Sequence, residues 1–195
     1  MNIKKIIKNI LSPIMCTIHG IHYEGGVYIG RHVKLIRAKQ MWAEEQSEFN
    51  PYSMVVCIGK QSRFEIGRKS RISMFSRIGV AGYVKIGKEV EMGPNIFIAD
   101  YNHDYRDITQ SVLVQGITYT NNGQIISKPS LEIGDGTWLG ANVVVVGEIK
   151  IGKHCVIGAN SVVVKDIPDY SVAVGAPAKV IKKYDFDKKM WVSVK

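Results

Sequence analysis

Large aliphatic residues recur every six positions through the last third of the chain, and this period limits the possible folds more than any other feature. The anchors of the repeat are Ile133, Leu139, Val145, Ile151, Ile157 and Val163. Four of the six are followed directly by glycine, and the position four residues after each anchor holds a small or β-branched residue or cysteine. A period of six matches neither the helical period of about 3.6 nor the strand period of about 2. It is typical of a β-helical solenoid.

Pairs of apolar residues two positions apart show how the coil closes. Alternation of this kind places both members on one face of a strand. The pairs are Val27/Ile29, Val56/Ile58, Phe64/Ile66, Val84/Ile86, Leu131/Ile133 and Ile149/Ile151. The last two pairs are three repeats apart, which predicts three short sides per turn and a triangular coil. Glycine suits the corners because it adopts positive φ without a Cβ clash.

The phase of the repeat divides the chain into a solenoid with a cap at each end. We expect residues 27–168 to form an all-β parallel β-helix, with caps at 1–26 and 169–195 that include short helical segments. The phase is lost over residues 37–50, which predicts a first insertion outside the coil. It is lost again after Ile98, which predicts a long excursion loop over about 104–130.

The first eighteen residues have the pattern of a short basic amphipathic helix, with Pro13 ending or bending it. The apolar positions are Ile3, Ile6, Ile7, Ile10, Leu11 and Ile14, and Lys4, Lys5 and Lys8 lie between them. This stretch is too short to span a bilayer and lacks the pattern of a signal peptide. Two roles stay open. It covers the solenoid end or packs on a neighbouring subunit, or it makes a weak contact with a membrane surface.

Charge and cysteine content narrow the classes of partner. The 195 residues carry a net charge of +9, but no nucleic-acid-binding motif accompanies it, so nucleic acid is not expected. The three cysteines, Cys16, Cys57 and Cys155, have neither disulfide-framework nor metal-site spacing. We therefore expect reduced thiols, a cytoplasmic location and no metal.

Residues 138–142 (WLGAN) resemble a motif of the left-handed β-helix acyltransferases. Residues 157–168 (IGANSVVVKDIP) and 175–181 (GAPAKVI) are similar to the acetyl-CoA-dependent branch of that family. The resemblance implies a left-handed coil, acetyl-CoA as acyl donor, and a homotrimer with its active site between subunits. The segment 107–116, together with the residues that lead into the coil at 133–135, resembles bacterial enzymes that modify surface polysaccharide sugars.

His103 is the candidate catalytic residue. Acetyl transfer to a hydroxyl needs a group that removes the hydroxyl proton, and histidine ordinarily titrates near neutrality. In the resembled family a histidine at the start of the loop that leaves the β-helix has this role, and His103 stands at the matching place. An acceptor must hold its second ring nitrogen. Asp100, Asp104, Glu148 and a backbone carbonyl are all open candidates.

Other candidate residues follow from the resemblance and from side-chain chemistry. Substrate contacts are expected from Asp100, Asn102, Asp104 and Trp138. Cofactor contacts are expected from Trp138, Gly140, Gly158, Ala159, Lys165 and Lys179, because an exposed indole offers a flat wall, glycine permits close backbone approach and lysines pair with phosphates. The alternatives are that Trp138 packs under the excursion loop, that the small residues only form corners, and that the lysines and aspartates are solvated.

The resemblance implies an acetyl-CoA-dependent O-acetyltransferase acting on a sugar hydroxyl of a bacterial surface polysaccharide or its precursor. An N-acetyltransferase of an amino sugar, free or nucleotide-linked, is the nearest alternative. From other classes come a metal-dependent enzyme of the γ-carbonic-anhydrase kind, which needs several histidines across neighbouring coils, and a non-catalytic solenoid scaffold.

Overall fold

Three parallel β-sheets form the sides of a triangular solenoid in the computed structural model, which describes residues 10–118 and 128–194. Within these residues six coils follow one another, each with one strand per side. The strands of the coils are only two to four residues long, because the six-residue repeat soon returns the chain to a corner. The predicted parallel β-helix is confirmed.

The first two coils contain β1 (His22–Tyr23), β2 (Tyr28–Ile29), β3 (Lys34–Ile36), a 3-10 turn (Ala38–Gln40), β4 (Met41–Ala43), β5 (Glu48–Phe49) and β6 (Met54–Cys57). The next two contain β7 (Arg63–Ile66), β8 (Arg71–Ile72), β9 (Arg77–Val80), β10 (Tyr83–Ile86), β11 (Glu91–Met92) and β12 (Phe97–Ala99). An excursion then carries β13 (Asn102–His103), α2 (Val112–Gln115) and β14 (Ile117–Thr118). The last two coils contain β15 (Leu131–Ile133), β16 (Trp138–Leu139), β17 (Val144–Val146), β18 (Lys150–Ile151), β19 (Val156–Ile157) and β20 (Val162–Val163).

Each sheet collects every third strand of the coils. The first sheet has the order β1-β4-β7-β10-β15-β18, and the third has β3-β6-β9-β12-β17-β20. The second sheet has the parts β2-β5-β8 and β11-β16-β19, joined where the Arg71 amide donates to the Val90 carbonyl at 3.0 Å. Since Val84 pairs with Leu131 in register, the excursion is inserted at a corner without shifting the coils.

The interior of the solenoid is filled by the anchors of the repeat. All six predicted anchors from Ile133 to Val163 are fully buried. The residues four positions later, Thr137, Val143, Ile149, Cys155, Ser161 and Ile167, are at most 4% exposed. Anchors stack on anchors along the axis, as where Ile133 pairs with Ile86 below it and Ile151 above it. The period of six therefore reports an inward side chain on each side of the coil.

The predicted pair Val56/Ile58 is wrong by one residue. The structure buries Val55 and Cys57 instead, with at most 1% exposure, and leaves Val56 and Ile58 half-buried. A shift of one residue moves every side chain of a strand to its other face. Cys57 takes the inward place because a free thiol packs as a small apolar group.

Residues 37–50 do not leave the coil, contrary to the predicted insertion. They form the 3-10 turn, β4 and β5, in which Met41 pairs with Phe64 and Phe49 pairs with Ile72. The phase is hidden because the turn adds residues at a corner and because the inward places hold Met41, Ala43 and Phe49 rather than isoleucine or valine. Parallel pairing also starts before residue 27, since β1 pairs with β4.

Helix α1 (Ser12–His19) lies against the first coil. Its Ser12 and Cys16 are buried, and the Ile29 amide donates to Ser12 Oγ at 3.0 Å. Pro13 lies in the first turn of this helix rather than ending it, because a first-turn residue needs no amide hydrogen for helical bonding. The predicted helical positions before residue 10 lie outside the described residues. In the described ranges no helix has the length and apolar character needed to cross a membrane.

The C-terminal segment extends the second sheet. Strand β21 (Ser171–Val174) pairs in parallel with β19, so parallel pairing continues past residue 168. Strands β22 (Lys179–Asp185) and β23 (Met190–Ser193) then add antiparallel to its edge. Tyr184 contacts Trp191 edge-on, with ring centroids 5.4 Å apart.

Candidate active site

The base of the excursion is held by the buried carboxylate of Asp100. This side chain is 4% exposed and accepts hydrogen bonds from the amides of Ala81 (2.7 Å) and Gly82 (2.8 Å) and from Ser130 Oγ (2.7 Å). Burial raises the pKa of Asp100, and the hydrogen bonds from Ser130 and the two amides act in the opposite direction. Asp100 thus ties the start of the excursion to its end and to the corner below.

His103 lies on a short antiparallel ribbon just above this base. Strand β13 pairs with β14, with Asn102 opposite Thr118 and His103 opposite Ile117. The ribbon is extended by the Asp104 amide, which donates to the Gly116 carbonyl at 3.0 Å. The His103 side chain is exposed and faces a pocket of about 210 Å³. That pocket is lined by Asn102, His103, Asp104, Tyr105, Arg106 and Thr118.

The two aspartates nearest to His103 already have other partners. Asp104 accepts from Arg106 Nε at 2.9 Å, and this pairing lowers the pKa of Asp104 to about 2. Asp100 lies beneath the pocket and does not line it. Within the described residues, no hydrogen bond reaches the imidazole nitrogens of His103. Neither carboxylate orients the ring in this arrangement, and Glu148 lies exposed at the corner after β17.

A compact turn closes the described part of the excursion. The Asp107 carboxylate accepts from the amide and hydroxyl of Thr109 at 2.9 and 2.6 Å, and the hydroxyl bond is the main cause that lowers the pKa of Asp107. The Gln115 amide group donates to the Asp107 carbonyl at 2.8 Å. Sequence reasoning assigned no role to Asp107, although an aspartate two residues before a threonine is a signal for such a turn. The turn leaves Ile108 and Leu113 almost fully exposed.

Four of the predicted cofactor residues come together on the last two coils. Trp138 is about half exposed on the outer side of β16, where it pairs with Val156. A Cβ added to Gly140 would lie 2.6 Å from the Ala159 nitrogen, so only glycine allows these corners to stack this closely. Gly158 and Ala159 form the next corner above. This surface lies at the corner between the second and third sheets, whereas the loop that carries His103 leaves the coil at the corner between the third and first sheets. One protomer therefore does not bring the two together.

Lys165 and Lys179 lie at the C-terminal end of the solenoid. Both are exposed. Ala178, the neighbour of Lys179, donates its amide to the Val162 carbonyl at 2.8 Å, and Val162 belongs to the strand that precedes Lys165. The backbone therefore brings Lys179 to the corner that also carries Gly158. Lys165 instead follows β20 and lies at the next corner, in register with Gly147 and Asp100, on the side from which the excursion leaves.

A ladder of asparagines borders the Trp138 surface and was not predicted. Asn95, Asn142 and Asn160 all have φ near +60°, a conformation that asparagine adopts more readily than most residues. Asn95 Nδ2 donates to Asn142 Oδ1, and Asn142 Nδ2 donates to Asn160 Oδ1, both at 2.9 Å. The signal was available in the repeated tripeptides at 93–95 (GPN), 140–142 (GAN) and 158–160 (GAN).

Three of the other histidines lie in aromatic stacks rather than at the pocket. His22 stacks on Trp42, His32 on Tyr52 and His154 on Tyr170, with ring centroids 4.7 to 5.6 Å apart. Among the residues that the structure describes, no group of three His, Cys, Asp or Glu side chains is placed to hold a metal ion.

Replacing Asp100 with asparagine is expected to lower the free energy of unfolding by about 1–3 kcal/mol, because an amide NH₂ would face buried donors and leave one unpaired. Urea denaturation of the two proteins measures the difference. Asp104→Asn is the matched control. Within the described residues its carboxylate pairs with the exposed Arg106 at the surface, so stability should change little. Equal effects of both substitutions would contradict the role of Asp100 at the loop base.

Comparison with known proteins identifies the repeat. Residues 131–165 match the model of the bacterial transferase hexapeptide (six repeats) family. A probable acetyltransferase of Mycobacterium tuberculosis is 42% identical over 99 residues, which cover 51% of this chain and 30% of that protein. The putative lipopolysaccharide biosynthesis O-acetyl transferase of Escherichia coli is 36% identical over 108 residues, covering 55% of this chain and 54% of that protein. The chain thus spans a third to about half of these relatives.

A solved structure of galactoside acetyltransferase in complex with coenzyme A has the same fold. It superposes with a TM-score of 0.54 at 26% identity, covering 84% of this chain and 72% of that chain. Together with the repeat and the three-sheet coil, this gives the hand of the solenoid that the sequence resemblance predicted. The chain therefore carries a hexapeptide repeat that forms a left-handed parallel β-helix, and its coils are similar in sequence and fold to those of named acetyltransferases.

Proposed function

We propose that this protein transfers acetyl from acetyl-CoA to a sugar hydroxyl of a bacterial surface polysaccharide or its precursor. The observation that carries the proposal is the exposed imidazole of His103, which a hydrogen-bonded ribbon presents at a polar pocket. The relatives support the reaction class, since two are named acetyltransferases and one of these is named for lipopolysaccharide biosynthesis. The galactoside acetyltransferase structure supports both a sugar acceptor and coenzyme A.

In the proposed reaction His103 acts as the general base. Its ring nitrogen takes the proton of the acceptor hydroxyl while the oxygen attacks the thioester carbonyl. Collapse of the tetrahedral intermediate breaks the carbon–sulfur bond, and the departing thiolate takes up the proton that His103 received. The products are the acetyl ester and coenzyme A, and His103 returns to its neutral form.

The proposal includes a homotrimer. His103 and the Trp138 surface lie at different corners of the coil, on either side of the third sheet. A neighbouring copy is therefore needed to place a donor bound near Trp138 beside His103. Ile108 and Leu113 in the described part of the excursion are more than nine-tenths exposed and offer apolar surface for such a contact. The proposed location is the cytoplasm, where acetyl-CoA could bind the solvent-exposed Trp138 surface directly.

Acetyl-CoA is expected to bind along the Trp138, Gly140 and Gly158 surface, with Lys165 and Lys179 near its phosphates. Exposed charge pairs are screened by salt, so affinity should fall as ionic strength rises. At low salt the Lys179→Ala variant should bind acetyl-CoA more weakly than the wild type. Its affinity should also change less as the salt concentration rises. Titration calorimetry measures both. Lys188→Ala, which removes an exposed lysine paired with Asp185, is the control and should leave affinity unchanged.

A screen of sugars and amino sugars for coenzyme A release tests the proposed function. The expected result is release that depends on a hydroxylated saccharide and yields a product whose acetyl group mild alkali removes, as it does from an ester. An alkali-stable amide would replace O-acetylation by N-acetylation of an amino sugar. A protein that binds no acetyl-CoA at low salt would refute the enzyme and favour a solenoid scaffold.

A further inference from the structure

The large apolar side chains of helix α1, and of the two residues before it, are exposed to solvent. Ser12 and Cys16 face the first coil and are buried, while the opposite side carries residues with side chains 39 to 72% exposed. These exposed residues are Ile10, Leu11, Ile14, Met15 and Ile18. Their spacing places all five on one face of a helix. A surface helix normally buries such a face, so this one lacks a partner within the described residues of the protomer.

The chain up to the end of the first coil is rich in basic residues, and several of them lie exposed near α1. Residues 1–40 contain seven lysines and arginines and one acidic residue, Glu24, so this fifth of the chain carries +6 of the net charge of +9. Four of the cations lie exposed on or just after the first coil: Arg31, Lys34, Arg37 and Lys39. Lys39 also reaches the end of the helix, because a Cβ added to Gly20 would lie 3.0 Å from the Lys39 side chain.

The geometry points to an anionic lipid surface as the partner, and we propose that α1 lies in the interfacial region of such a membrane. The apolar face would enter the boundary between headgroups and acyl chains. The neighbouring cations would contact the headgroup phosphates. This pairing of an apolar face with adjacent basic residues is the chemistry of interfacial amphipathic helices. The inference does not depend on the proposed reaction.

Charge argues against a second copy of the chain as the occupant. Face-to-face association of two such ends would bring the exposed Arg31, Lys34, Arg37 and Lys39 of both copies together, and like charges repel across a shared apolar contact. An anionic bilayer instead attracts the same cations, at about 1 kcal/mol for each lysine or arginine near the surface. The electrostatic and apolar contributions thus favour the same partner.

Vesicle flotation with the full-length protein tests the proposal. Vesicles of phosphatidylcholine alone are compared with vesicles that also contain phosphatidylglycerol, at low and high salt. The expected result is binding to the anionic vesicles that weakens as salt rises. Ile14→Asn/Ile18→Asn should weaken it at least about tenfold, because two large aliphatic side chains no longer enter the lipid. Both side chains are exposed, and thermal unfolding checks that the coil is intact.

Met190→Asn/Val194→Asn is the matched control. These side chains are about as exposed but lie in the C-terminal segment, so vesicle binding should be unchanged. The proposal is overturned if the wild-type protein ignores anionic vesicles at low salt, or if the α1 double variant floats as well as the wild type. It is equally overturned if that variant keeps vesicle binding but has a lower mass by light scattering, since the face would then belong to a second copy.

Discussion

Replacing His103 with alanine is expected to lower kcat by about 10²–10⁴-fold, the usual loss when a general base is removed. The coil should stay intact because His103 is exposed and lies outside the stacked core. Affinity for acetyl-CoA should change little, because the imidazole acts on the acceptor hydroxyl rather than on the donor. Steady-state kinetics with the acceptor from the screen, together with donor calorimetry, separate the two effects.

His32→Ala provides the matched control for this loss. His32 is also an exposed histidine, but it stacks on Tyr52 beside the first coil, far along the axis from the excursion. Its removal should leave kcat near the wild-type value. Near-native turnover of His103→Ala would end the proposed mechanism, and a large loss in His32→Ala would move the base to the other end of the solenoid.

Ile133→Ala is expected to lower the free energy of unfolding by about 2–5 kcal/mol, the usual cost of truncating a fully buried isoleucine. Ile133 is fully buried between Ile86 and Ile151 on the strand that returns from the excursion. The substitution would leave a cavity between the stacked side chains of three neighbouring coils. The hydrogen-bonded coils hold these side chains in place, so they cannot move in to fill the cavity. Urea denaturation followed by far-ultraviolet circular dichroism measures the loss.

Glu132 is the control on the same strand, because it points outward beside Ile133. Its ion-pair partner among the described residues is the exposed Lys150 at 3.5 Å, so Glu132→Ala should cost under about 1 kcal/mol. Similar losses for the two substitutions would show that β15 does not bury alternate residues as the repeat requires.

The coils could be predicted from sequence where single aliphatic residues fill the interior. From Ile133 to Val163 each anchor position holds one buried aliphatic residue, so the period is visible. In the second coil the same volume is divided among Met41, Ala43 and Phe49, and the corner before it holds a 3-10 turn. These residues fill the interior without the six-residue spacing of aliphatic anchors. For that reason the sequence pattern predicts an insertion over residues 37–50 where the structure has a coil.

The sequence predicts the residue types of the candidate site but not which of its side chains are buried. Resemblance pointed to His103, and the structure places it at a pocket. The same polar run contained Asp100, yet nothing in its neighbours indicates that its carboxylate is buried under donors from Ala81, Gly82 and Ser130. Two of those donors come from an earlier corner and one from residue 130, so this contact depends on the register of the coils.

A crystal structure with coenzyme A and the identified acceptor tests the central claim most directly. The proposal predicts that the acceptor hydroxyl lies about 2.6–3.2 Å from a ring nitrogen of His103, with the thiol of coenzyme A extending to the same place from the Trp138 surface of a neighbouring subunit. An acceptor bound away from His103, or coenzyme A on a surface that does not include Trp138, would contradict it.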